Sequence, residues 1–328
     1  MRSSLFRIQS HAFPVLLWAA IVACASVPFV DAQSSAPHGQ AVFSTPQQAV
    51  DALIQAAAKY DVAALTGIFG PDGKDLFSSA DEVRDKQRAA AFVEKAMEKK
   101  TVAVDPKNKA RATLLVGNDD WPLPVPLVKN GGKWFFDSKQ GHDEILLRRI
   151  GANELDAIQV CRGFVDAQTE YASDIHDDSG VNQYAQKIIS TPGKRDGLVW
   201  RNQDGTLGGP ISENIAEAIE EGYTSKTQGY HGYYFKVLKG QGPAARLGRL
   251  DYVVDGIMIG GFALVAVPAE YRVTGVKTFI VSYDGIVYEK DLGPNSLQIA
   301  KDMVLYNPDK TWHPTDDQWP ADVSFGSD

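Results

Sequence analysis

The spacing of apolar residues changes along the chain, and each change marks a different kind of element. Phe13 to Val30 is nearly all apolar and has no period. From residue 43 to residue 98 apolar positions recur three and four apart, the mark of helices with one buried stripe. Thr45-Pro46-Gln47-Gln48 opens the first helix: Thr45 can cap, Pro46 suits the first helical position, and Gln48 can reach back to complete a capping box. Val50, Leu53, Ile54 and Ala57 form its inward face. Asp61 caps a short second helix carrying Leu65, Ile68 and Phe69, which the turn formers Gly70-Pro71-Asp72-Gly73 stop. Ser79 and Glu82 read as another capping box, opening a third helix with Val83, Phe92, Val93, Ala96 and Met97 inward. Its charges, Arg84, Asp85, Lys86, Arg88, Glu94 and Lys95, read as a solvated face.

Past Thr101 the period shortens and β-formers appear at Val102, Val104 and Thr113 to Val116. Pro124 to Val128 and Lys133 to Phe136 flank Lys129-Asn130-Gly131-Gly132, a hairpin whose Asn-Gly corner accepts positive φ. Pro124 and Pro126 would confine its first strand to a sheet edge. His142 to Arg149 reads as a joining helix, Gly151-Ala152 as a bend or boundary, and Asn153 to Ala172 as a further helix with Leu155, Ile158, Cys161 and Val165 along one side. Strand patterns follow at Gly232 to Leu238, Phe262 to Pro268 and Thr278 to Val281, and Asp284-Gly285 turns into Ile286-Val287-Tyr288. Trp312 is expected to pack against this sheet. The organisation expected is a signal peptide over 1–32, a Ser/Gln-rich linker over 33–42, domains over 43–141 and 142–314, and a loose tail over 315–328. The fold class is α+β: N-terminal helices plus a curled antiparallel sheet, then a long helix packed on an antiparallel sheet.

Composition narrows the setting. A length of 328 residues, 44% of them hydrophobic, has room for about two cores. With 33 Lys plus Arg against 41 Asp plus Glu the net charge is −8, which argues against nucleic acid or an anionic membrane surface as partner. Arg2 and Arg7 precede the apolar stretch, and Val30-Asp31-Ala32 suits signal peptidase, so cleavage after Ala32 is the first reading. Ile21-Val22-Ala23-Cys24 resembles a lipobox and would instead leave a lipid anchor at Cys24. An uncleaved anchor ranks third, because the stretch is short for a span and carries Pro14 and Pro28. Each reading puts the body outside the cytoplasm, periplasmic or secreted. Two cysteines build no disulfide framework, and Cys161 on a helical face reads as a small buried hydrophobe.

Gly132-Lys133-Trp134-Phe135-Phe136-Asp137 behind two or three helices resembles the cystatin-like cone of the nuclear-transport-factor-2-like superfamily, over about residues 43–138. Asn153-Glu154, Ala157-Ile158, Ala167-Gln168 and Tyr171, with the later strands and the Asp284-Gly285 turn, resemble the globular domains of type IV pilins and type II secretion pseudopilins over about residues 150–313. Pilins assemble through about 20 apolar residues before that glutamate. Here Arg148-Arg149-Ile150-Gly151 stands there instead, so the resemblance implies a fold and no pilus core. The whole chain past the leader resembles the exported bacterial family called domain of unknown function 2950. That likeness is carried by Pro126-Leu127-Val128-Lys129, Arg149-Ile150-Gly151, Tyr230-His231-Gly232-Tyr233-Tyr234, Gly260-Gly261-Phe262-Ala263-Leu264 and Asp291-Leu292-Gly293-Pro294. It implies a cell-envelope protein and brings no activity with it.

No catalytic motif emerges. Gly70-Pro71-Asp72-Gly73-Lys74-Asp75 lacks the spacing and hydroxyl of a phosphate loop, and there is no Gly-x-Ser-x-Gly elbow or His-Glu-x-x-His pair. His38, His142, His176, His231 and His313 share no metal-ligand spacing. Asp174 to Gly180 offers oxygens, but an EF-hand would want glycine and an acid where Ser179 and Ala185 stand, so it reads as a polar loop. No metal and no cofactor is expected. Tyr230, His231 and Tyr233, with Trp200 and Tyr223, form an aromatic group able to stack on a sugar or peptide, although strands favour aromatics anyway. The candidate binding residues are therefore Trp200, Tyr230, His231 and Tyr233, with His231 the one histidine in a plausible site setting. The functional expectation is a non-enzymatic binding or interaction scaffold for an unknown envelope partner. The alternative is a small-molecule-binding protein or enzyme using the cone of the first domain.

Overall fold

The computed structural model describes residues 38–176, 180–211 and 229–316. The expected leader with Cys24, Asp177 to Ser179 of the polar loop, Tyr223, and the tail from Asp317 onward lie outside the described residues.

The N-terminal half packs helices on one antiparallel sheet. Helix α1 (Pro46–Ala58) starts where Thr45 Oγ1 accepts the Gln48 N–H at 3.2 Å, and Gln48 Oε1 accepts the N–H of Ser44, one residue before the cap. Asp61 caps α2 (Val62–Phe69) through the Ala64 N–H. Gly70, at φ +80°, then turns the chain into a 3₁₀ helix over Pro71–Leu76. After α3 (Glu82–Glu98) come β1 (Lys100–Val104), β2 (Arg111–Val116), β3 (Trp121–Pro122), β4 (Leu127–Asn130) and β5 (Lys133–Phe136). The sheet runs β1-β2-β4-β5, with β3 also on β2, and every pairing is antiparallel. Alternation along β2 sends Ala112, Leu114 and Val116 inward, where they meet Val50 and Leu53 of α1 and Leu65 of α2 in one core. The end of the expected linker belongs to this core's edge. Gln40 is buried and donates from Nε2 to the carbonyls of Ile68 and Phe136, and Phe43 exchanges backbone bonds with Trp134.

Several expectations are corrected here. The cap of α3 is Asp81, which accepts the Arg84 N–H at 3.0 Å, while Ser79 bonds Asp85 instead. Asp85 is thereby buried, whereas Val83 and Met97 point outward. A helix of this amphipathicity has room for only one inward stripe, and Ala96 with Phe92 occupies it. In the β4–β5 hairpin Asn130 pairs with Lys133, so the positive-φ corner is Gly131-Gly132. Strand β4 lies between β2 and β5 rather than at an edge, because Pro124 and Pro126 precede it and cost it no ladder bond.

Helix α4 (Ser138–Tyr171) has 34 residues and runs unbroken through Gly151 and across residues 141–142, over a rise of roughly 50 Å. The expected bend is absent because both ends are held by packing that outweighs one helical glycine. At its start Asp137 caps it, the Ser138 hydroxyl donates to the Phe69 carbonyl, and Gly141 passes so near Val125 that a Cβ would come within 2.8 Å. Its later half buries Ala157, Ile158, Cys161, Phe164 and Tyr171 in a second core.

That core is built on β6 (Lys187–Ile189), β7 (Gly197–Arg201), β8 (Leu207–Gly208), β9 (Tyr233–Leu238), β10 (Gly240–Gln241), β11 (Leu250–Asp251), β12 (Val253–Val254), β13 (Ile257–Met258), β14 (Ala263–Pro268), β15 (Lys277–Ser282) and β16 (Tyr288–Asp291). Helix α5 (Ser296–Asp302) and β17 (His313–Pro314) complete the described elements. The main sheet has the order β17-β16-β15-β14-β9, all antiparallel, and α4 packs on β14 and β15. Every residue of β14 is buried, as expected of an interior strand covered on both faces. Trp312 packs against this core beneath the Lys290 ammonium. Helices with mainly antiparallel sheets, and one parallel pair of β6 with β7, make the fold α+β.

Candidate ligand cavity

The N-terminal half leaves a cavity of about 310 Å³ between its helices and the segment after β3. Leu53 of α1 and Leu65 and Phe69 of α2 reach it because they lie on the buried stripes of those helices. Phe77 follows the 3₁₀ helix and stacks on Phe69, with ring centroids 5.8 Å apart. Phe92 and Ala89 line it from α3, Leu123 and Val125 from the segment after β3, and Ile145 from α4. The 3₁₀ helix shapes one wall by lying close to α4: a Cβ on Gly73 would fall 2.6 Å from both Phe69 and Ser138. At the mouth the Arg148 guanidinium lies over Trp121, 5.4 Å from its centroid, while Arg148 Nε donates to Glu144 at 2.8 Å.

The polar groups of this lining are few and include both signs: Asp75, Asp85, Arg88, Tyr60 and two serines. Asp85 is only 3% exposed. Its Oδ2 accepts the Ser79 N–H at 2.6 Å and its Oδ1 accepts the Ser79 hydroxyl at 2.9 Å. A mostly apolar concavity with a few placed polar groups can bury a small apolar body and orient one polar end.

The residues selected from the sequence lie elsewhere and are not all together. Tyr230 and His231 line a cleft of about 450 Å³ against Val160, Gly163 and Phe164 of α4. His231 sits at φ +46° in the tight turn between Tyr230 and Tyr233, and its Nδ1 lies 2.6 Å from Asp156 Oδ2. Burial, and after it the Asp156 carboxylate, pushes the Tyr230 hydroxyl above its ordinary value. Tyr233 is fully buried and donates to the Lys277 carbonyl at 2.9 Å, with its pKa raised by burial first and then by Glu154. Trp200 lines a separate groove with Thr191 and Asn202, and its ring lies under the Arg195 guanidinium and beside His176. The helical periodicity turned Leu53 and Phe92 inward, and both line the cavity, but it did not single out Asp85, Ser79 or Phe77 as site residues. The one available signal was an acid in the first turn of α3, which reads equally well as surface charge. Cys161 is fully buried, with its thiol pushed up to about 12 by burial. Among the described residues no three His, Cys, Asp or Glu side chains converge as metal ligands, and no helix is long and apolar enough to cross a membrane.

Two cores bridged by one long helix, with an apolar cavity in the first, define an α+β protein equipped with a small-ligand-sized concavity. The chain belongs to the family described as Protein of unknown function (DUF2950), which matches residues 40–315. No curated protein and no solved structure matches it.

Proposed function

We propose that this protein works outside the cytoplasm as a non-enzymatic binding module and that the cavity beside α1, α2 and α3 holds a small apolar molecule. The observation that carries the reading is the cavity: at about 310 Å³, walled by Leu53, Phe69, Phe77, Phe92 and Leu123, it matches the size and character of small-molecule sites. Export is supported by Arg2, Arg7, the apolar stretch from Phe13 to Val30 and the cleavage-site pattern Val30-Asp31-Ala32. Helices over an antiparallel sheet support the cystatin-like cone for the first half, and separate hydrophobic cores support two domains, with α4 spanning the boundary expected between residues 141 and 142. Helix α4 lying on β14 and β15 supports the pilin-like reading of the second half, which would serve as the scaffold toward an envelope partner.

The test is a titration with phenylnaphthylamine, a neutral dye that brightens in apolar surroundings. The purified protein is expected to enhance its emission saturably. Ala89→Trp, which fills the cavity from α3, is expected to weaken binding at least tenfold while leaving the circular dichroism spectrum intact. A wild-type protein that leaves the dye dark refutes the ligand site, and steady turnover of a small substrate refutes the non-enzymatic part.

A further inference from the structure

We propose that the ligand of this cavity is an amphiphilic cation, an apolar body with an ammonium-type end received by Asp85. The inference rests on the cavity being a ligand site. Asp85 lines the cavity and is 3% exposed. Both groups that bond it, the N–H and the hydroxyl of Ser79, are neutral, and it forms no ion pair among the described residues. A carboxylate taken out of water without a countercharge is costly. Its place in the first turn of α3 offsets part of that cost, since the helix dipole favours an anion there. Each carboxylate oxygen still has acceptor capacity beyond its one bond to Ser79. A donor arriving through the cavity with a positive charge would supply both the missing countercharge and the missing bonds. The rest of the lining agrees: Asp75 adds a second carboxylate against the Arg88 guanidinium, and the Arg148 guanidinium at the mouth is already paired with Glu144. The rings of Phe77 and Phe92 suit an alkyl or aryl body and can face a cation.

The rival explanation is that Asp85 only ties down the loop at Ser79. Asp85→Asn separates the two, because an amide can accept from the Ser79 N–H and donate to its hydroxyl while removing the charge. Bound phenylnaphthylamine is displaced with octylammonium, octanol and octanoate in turn. The wild type is expected to favour octylammonium over octanol about tenfold, ~1.4 kcal/mol, with octanoate weakest. Asp85→Asn is expected to erase that gap by weakening octylammonium the most of the three, and Arg88→Gln to weaken octanoate further. If the dye binds and octylammonium competes no better than octanol, the cationic assignment is overturned while the cavity stands. If the dye does not bind, both fall. Should Asp85→Asn fail to fold by circular dichroism, the wild-type and Arg88→Gln orders decide the question by themselves.

Discussion

Glu154 does more than its half-buried position in α4 suggests. Its Oε1 accepts the N–H groups of both Val276 and Lys277, and its neighbour Asn153 donates from Nδ2 to the Thr274 carbonyl. One turn of helix thus holds the entry to β15. Glu154→Ala removes two charge-assisted bonds and is expected to cost about 2 kcal/mol, read as a lower urea midpoint, with Glu154→Gln recovering part of it. Asp196 has a different signature. Burial would raise its carboxyl, but bonds from Lys187 and Thr191 outweigh that and bring it down to about 2. A folded-state value below the unfolded one gives stability that is present above pH ~4 and lost as the pH falls through about 2. The side chain is 35% exposed, so solvent screens the effect and it is modest. Asp196→Asn should therefore melt lower than wild type at neutral pH and converge with it near pH ~2, whereas a constant offset would show that the pairing carries no linkage.

Helix α4 joins the two halves without a break. Gly151 lies in its interior, and a Cβ there would meet nothing within 4 Å. Gly151→Ala is expected to raise stability by about 0.5–1 kcal/mol, visible as a higher melting temperature, because alanine loses less backbone entropy than glycine in a helix. A lower melting temperature would mean that the helix needs to bend there. The later half of α4 also binds a loop through a side-chain amide. Gln168, fully buried, donates to the Ala185 carbonyl and accepts the Ala185 N–H, both at 2.8 Å, so it takes the place of a neighbouring strand.

At the scale of the molecule, the proposed cationic ligand accords with a net charge of −8 and with a lining that sets two carboxylates, Asp75 and Asp85, against Arg88. A ligand that binds only the folded protein stabilises it by about 2.7 kcal/mol at a hundred times its dissociation constant. Saturating octylammonium should therefore raise the melting temperature of the wild type and leave that of Ala89→Trp nearly unchanged. Differential scanning fluorimetry reads both.

The sequence alone determined what local chemistry controls. Thr45 and Asp61 as caps, the α1 stripe at Val50, Leu53, Ile54 and Ala57, and the strands β2, β9 and β15 were legible because capping, periodicity and β-propensity act within a few residues. The tertiary structure decided everything that depends on distant partners. Gly151 stays helical because cores at either end hold α4, and β4 lies inside its sheet because β2 and β5 close on both sides. Asp85 became a buried carboxylate at a cavity wall because Ser79 folds back onto it, and Tyr233 left the aromatic group because the chain around Gly275 packs over its ring. Burial and convergence are properties of pairs far apart along the chain, which no single stretch of sequence contains.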